Sequence, residues 1–182
     1  MAELADRRER EQQRITTRAI AEESGANVAS IAYHFGNKDD LVTEAVVEGL
    51  DRWLDEIANA LGGLDAPSPR ERLRAAMVVI ETTRARHEGL ARNFLGALSR
   101  AQHSARIQHL LTEGFRHTRP NVAAVLNLGD DQAGKDAAGL VHSLFTGLLF
   151  QTLLDPDLAI EGDRMELALT RLRTALPMRR EM

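Results

Sequence analysis

Between positions 15 and 41 the chain reads ITTRAIAEESGANVASIAYHFGNKDDL, a run in which three helix starts and two stops fall within 27 residues. Thr16 or Thr17 can cap a first helix, and Gly25 suits the left-handed conformation that ends one. Asn27 is a good N-cap for a second helix. Residues 28–35 are too few to be a stable helix alone, so that helix must pack on its neighbours. Gly36 and Asn37 then stop it and cap a third helix, with Asp40 at the capping-box position. Two helices joined by about three residues around a glycine make a helix-turn-helix, whose second helix can lie in the DNA major groove.

These residues resemble the DNA-binding domain of the TetR/AcrR family of one-component transcriptional regulators. In that family a T-x-R-x-I-A-x-x-x-G segment precedes a short recognition helix ending in aromatic residues, followed by S/N-K-[DE]-x-L. The matching residues here are Thr16, Arg18, Ile20, Ala21 and Gly25, then Tyr33, His34 and Phe35, then Asn37, Lys38, Asp39 and Leu41. Within the recognition helix Val28, Ile31 and Phe35 recur at helical spacing and are expected to face the core of the head. Asn27 at the cap and the small Ala29 and Ser30 leave room to approach base edges, where Ser30 can hydrogen-bond. By the resemblance, Thr16, Arg18, Tyr33, His34 and Lys38 touch phosphates, which positions the protein without specifying sequence.

Upstream, residues 1–14 (MAELADRREREQQR) offer only Met1, Ala2, Leu4 and Ala5 as apolar residues. Family members have a longer apolar face on the first helix, so the chain is expected to start partway into it. Residues 1–40 hold six Lys/Arg against eight Asp/Glu. Any positive face must therefore come from placement.

Beyond the motif everything reads as helix, about eight or nine in all, with no strand, so the expected fold class is all-α. The head is a three-helix helix-turn-helix unit with a short first helix. Residues 1–45 are read as this head, and 46–182 as an α-helical ligand-binding and dimerisation domain. From 37 to 61 the apolar residues Leu41, Ala45, Val46, Leu50, Trp53, Leu54, Ile57 and Leu61 keep helical spacing, which predicts one long helix leaving the head. Gly62-Gly63 ends it. The segment GGLDAPSPR is a linker, and Ser68-Pro69 suits a cap and first position of a helix running to about residue 86. Further helices are expected over 88–100, 104–128 with a break or kink near Pro120, 136–154 and 162–176.

Nine of the fifteen residues from 140 to 154 are apolar, a stripe too wide for one side of a surface helix. That helix needs two partners. Gly139, Ser143 and Gly147 fall four apart and would let another helix come close. The expected dimer face comprises Gly139, Ser143, Leu144, Gly147, Leu148 and Gln151 of this helix with Leu169 and Leu172 of the last. In the TetR family the last two helices form a four-helix bundle across a two-fold axis, and this pattern looks like that. A membrane span fails on length, since fifteen residues interrupted by His142 and Gln151 fall short of about twenty apolar ones.

Between 77 and 115 apolar residues mix with polar ones that could turn inward, as small-molecule pockets require. The candidate ligand-binding residues are Met77, Ile80, Arg84, His87, Phe94, Leu98 and Phe115. Arg84 or His87, if buried, would favour an anionic ligand. His103, His109 and His117 lie six and eight apart, not at the i, i+4 spacing of ligands on one helix face, so no metal is expected. The absence of cysteine removes disulfides and thiolate sites and suits a reducing cytoplasm. No signal peptide opens the chain, whose start is charged. No phosphate loop or nucleophile elbow is present, so no cofactor or enzymatic activity is expected. The net charge of −4 argues against a general nucleic-acid-coating protein and permits a local DNA footprint.

The residues thus point to a DNA-binding transcriptional regulator that forms a homodimer on a double-stranded DNA operator and answers to a small-molecule effector. By family resemblance it would be a repressor released when the effector binds. The rival is a ligand-binding or enzymatic α-helical dimer with a vestigial DNA-binding head.

Overall fold

The computed structural model describes residues 16–63, 65 and 68–175. The charged segment 1–14, part of the linker and Leu176 lie outside the described residues. Those described are α-helical with no strand among them: α1 (Thr17–Ser24), α2 (Val28–Phe35), α3 (Lys38–Gly62), α4 (Pro69–Thr83), α5 (Glu88–Ala101), α6 (Ala105–Val125), α7 (Gln132–Leu154) and α8 (Gly162–Ala175). Short 3-10 turns at Arg84–His87 and Pro156–Leu158 follow α4 and α7.

Local chemistry accounts for the head. Thr16 Oγ1 accepts from the Ala19 amide at 3.1 Å. At the other end of α1, Gly25 sits at φ +66°, and the amide of Ala26 bonds back to Ala21 O at 2.9 Å. That pairing satisfies carbonyls the helix leaves open, in a conformation costly for any residue with a Cβ. Asn27 Oδ1 accepts from the Ala29 amide at 2.8 Å to start α2. Gly36, at φ +84°, closes it. Asn37 Oδ1 then accepts from both Asp39 and Asp40 amides, at 2.9 and 3.0 Å, to start α3.

α3 is the spine of the molecule. Its inner face carries Val46, Trp53, Ile57 and Leu61, all buried. Two clusters form along it. Val46 packs with Phe94, Ala97, Ile107 and Leu111 near the head. Trp53, Ile57 and Leu61 pack with Ala76, Ala91, Val122, Ala123, Leu126, Ala138 and Leu149 farther away. The expected boundary between residues 45 and 46 therefore falls inside a continuous helix. A movement of α3 must move both sides of that boundary.

The remaining elements differ from expectation in instructive ways. Ser68 caps α4 with Pro69 at the first helical position, as expected, and Glu71 completes a capping box, but α4 ends at Thr83 and the chain tightens into a 3-10 turn before α5. Hydrogen bonds from the Ser68 hydroxyl and backbone amide lower the pKa of the Glu71 carboxylate. α6 runs through Pro120 without interruption. Pro120 and Arg116 are both exposed, so water can satisfy the carbonyl that the proline leaves without a donor. α7 starts four residues earlier than expected, because Asp131 Oδ1 accepts from the Gly134 amide at 2.8 Å and caps it there.

At 23 residues and a mean hydropathy of 1.5 over its most apolar window, α7 is by length and composition long enough to cross a membrane. The fifteen-residue length that set a span aside was too short a measure. What α7 does here is pack against α6 while burying Ala138 and Leu149 in the core. Its opposite face is exposed and apolar.

Candidate nucleic-acid interface and cavity

On α2, Ala29, Ser30, Tyr33 and His34 are all exposed, whereas Ile31 is buried and Phe35 half-buried. Tyr33 is 85% exposed, and its ring meets that of His34 edge-on at 5.1 Å. An aromatic left so open is not there to fill a core. Val28 departs from the expected inward set: it is 42% exposed at the first turn of α2. That turn projects past the packing between helices.

Thr16 Oγ1 caps α1, and Arg18 is exposed two residues along. Lys38, half-buried, opens α3. Asn27 is exposed at the start of α2. Part of the acidic excess of this region pairs with the body. Asp39 lies 3.7 Å from Arg100 at the end of α5. Asp40, only 4% exposed, lies 3.2 Å from Arg106 at the start of α6 and also accepts from Asn37 Nδ2 at 2.9 Å. Arg106 reaches Glu44 as well, at 3.3 Å. Three of the acidic groups nearest the recognition helix thus pair with arginines of the body, while Glu22 and Glu23 stay exposed on α1 beside Arg18.

Residues 9–45 match the family model described as bacterial regulatory proteins, tetR family. Residues 9–45 thus carry a TetR-type DNA-binding domain. The matched residues include every helix start and stop of the helix-turn-helix described above. No curated protein and no solved structure matches the chain.

The body holds a partly open cavity of about 120 Å³ between α3, α4, α5, α6 and α7. Of the residues named from sequence, Met77, Ile80, Phe94 and Phe115 line it. Arg84, His87 and Leu98 do not. Arg84 pairs with Glu161 at 2.7 Å. His87 lies flat against Trp53 with ring centroids 4.6 Å apart, its Nε2 3.1 Å from Glu56, which Arg86 also contacts. Leu98 packs on the cluster around Phe94. The anionic ligand those cations would have favoured loses its support, because no charged side chain lines the cavity.

Sequence reasoning missed most of the walls. Trp53, Leu54 and Ile57 come from α3, Thr118 and Val122 from α6, and Val141, His142, Phe145 and Thr146 from α7. Trp53 Nε1 donates to the buried Thr83 hydroxyl at 2.8 Å, which fixes the indole as a wall. His142 tilts against Phe115 with centroids 5.4 Å apart. Burial, with a smaller contribution from the nearby positive Arg119, holds its pKa below the ordinary 6.5. The unfolded chain then takes up the proton more readily than the folded one. Stability is fully present above about pH 6.5 and falls as pH drops below it. Urea unfolding should show that loss as pH falls below about 6.5, and His142→Gln should reduce it.

α7 has two faces. One carries Val141, His142, Phe145, Thr146 and Leu149 to the cavity. The other leaves Leu140 74% exposed, with Ser143, Leu144, Gln151 and Leu154 also exposed. A Cβ at Gly147 would meet open space, whereas one at Gly139 would meet the Arg119 side chain at 3.2 Å. Leu148 and Leu169 are half-buried, and Leu172 is exposed on α8 beside Leu167. Among the described residues no group of three or more His, Asp or Glu is gathered closely enough to hold a metal.

Proposed function

We propose that the chain is a cytoplasmic TetR-family repressor that binds its operator as a homodimer and leaves it when a small molecule enters the cavity. The observation that carries this reading is that one helix serves both ends. Val47, Leu50, Trp53, Leu54 and Ile57 of α3 wall the cavity, while Lys38 and the cap of Asn37 begin the same helix against the recognition helix. A ligand that favours a different tilt of α3 shifts the spacing of two recognition helices, and half-sites about one helical turn apart no longer fit both.

In this scheme residues 1–45 act as the DNA-binding unit and 46–182 as the regulatory and dimerisation unit. Arg18, Lys38, Thr16, Tyr33 and His34 bind phosphates, and Asn27, Ala29 and Ser30 approach the bases. The exposed stripe of α7, with Leu169 and Leu172 of α8, meets its copy across a two-fold axis. A homodimer interface uses the same patch from both subunits, and leucines and small residues at three- and four-residue spacing suit helices packed side by side.

Gel retardation on the DNA flanking its own gene tests the reading. Lys38→Ala and Arg18→Ala should weaken binding to all sequences alike and each lower the salt slope by about one. Ser30→Ala should relax the sequence preference and leave the salt slope unchanged. Equal loss at every sequence for all three variants would remove the base contact at Ser30. No specific retardation even at low salt would favour the ligand-binding dimer with a vestigial head.

A further inference from the structure

The cavity says what kind of molecule it can hold, and this inference rests on the effector-site reading above. Apart from Gly114, its lining is aliphatic or aromatic except at Thr118, His142 and Thr146. Thr118 is already committed: its hydroxyl donates to Gly114 O at 2.9 Å and lies 3.4 Å from Asp51. Among the described residues, neither His142 nor Thr146 has a hydrogen-bond partner on its side chain. They stand four apart on α7, so they are neighbours on one face of the helix, and that face is the one that lines the cavity. Their polar atoms are not sealed in the core, so a guest in the cavity can reach them.

Size and charge narrow the class. The volume of about 120 Å³ is close to the roughly 150 Å³ at which a dry apolar cavity takes up one benzene ring. It is well below the roughly 300 Å³ at which drug-sized pockets begin. Phe94, Phe115, Phe145 and Trp53 offer ring faces and edges for a planar guest. An ionised guest would find no opposite charge in the lining. Burying an unpaired carboxylate is among the costliest steps available to a ligand.

We propose that the cavity binds a small, uncharged, single-ring aromatic molecule bearing one hydroxyl, a phenol, whose oxygen bridges His142 and Thr146. The phenolic O–H donates to an imidazole nitrogen, and its oxygen accepts from the Thr146 hydroxyl. A neutral imidazole can serve as that acceptor, and the depressed pKa of His142 favours the neutral form at pH 7.

Calorimetric titration of the full chain with phenol, toluene and benzoate tests this, using the wild type, His142→Phe and Thr146→Val. Both substitutions keep bulk while removing one hydrogen-bonding group. Phenol should bind the wild type and lose about tenfold in affinity in each variant, the size of one net hydrogen bond. Toluene should bind all three within about threefold, which also reports that the cavity is intact. Benzoate should bind the wild type more weakly than phenol. Toluene binding with phenol affinity unchanged in both variants would overturn the bridge and leave the effector cavity standing. Tighter binding of benzoate than phenol would overturn the uncharged class. Failure of both toluene and phenol to bind the wild type would overturn the inference and the cavity reading together.

Discussion

Gly147→Glu should convert the protein from a dimer to a monomer at micromolar concentration without harming the fold of the subunit. A Cβ at this position meets nothing within 4 Å, so the added side chain has room in the isolated chain. Replacing glycine by glutamate inside a helix should also favour α7 by roughly 0.5 kcal/mol. Loss of assembly could not then be ascribed to misfolding. Across a two-fold interface the change occurs twice. It places a carboxylate in the stripe formed by Leu140, Leu144 and Leu154, each of which contributes about 1.5–3 kcal/mol when covered. An increase in dissociation constant of roughly three decades is expected, since every 1.4 kcal/mol is tenfold. Operator binding should fall with it by a factor on the order of 10²–10⁴, because the second head no longer binds at high effective concentration. Sedimentation velocity and gel retardation on the same preparation measure both. A Gly147→Glu chain that remains a dimer would place the interface elsewhere.

The head was legible because its information is local. Gly25, Asn27, Gly36 and Asn37 each act within four residues of themselves, so residue type alone announces the starts and stops of α1 to α3. The breadth of the apolar stripe on α7 was legible for the same reason. The cavity was not, because its walls are decided by which helices meet. Helical spacing shows that Trp53 and Phe145 are turned inward but not that they face one another, with centroids 6.0 Å apart. Arg84 and His87 failed as ligand residues for a similar reason: their partners, Glu161 and Glu56, lie far away in sequence. In the sequence His142 is a polar interruption of an apolar run, which by itself argues only against a membrane span. An interrupting polar residue on a buried face was the signal for the cavity, and Thr146 one turn later would have completed it.

Arg106→Ala should loosen the joint between head and body. Asp40 is almost wholly buried at the first turn of α3, with Arg106 at 3.2 Å as its cationic partner and Asn37 as a neutral one. Removing one partner of a buried pair costs about 3–5 kcal/mol. The Arg106 side chain is half in solvent, so water can replace part of its charge and about 1–3 kcal/mol is the expected cost here. The Asp40→Asn, Arg106→Ala double variant leaves no stranded carboxylate and should recover at least half of that loss. Because Asp40 is held beside Gly36 and Asn37, the strain falls on the junction of α2 and α3. Amide exchange should therefore quicken over residues 31–41 in Arg106→Ala and not over residues 141–149, which pack in the body. Arginine 106 and Asp40 belong to different helices on either side of the expected domain boundary, so their coupling is a path by which a change in α6, a wall of the cavity, reaches the recognition helix. Costs in the double variant that simply add those of Asp40→Asn and Arg106→Ala would show the two residues acting independently and remove that path.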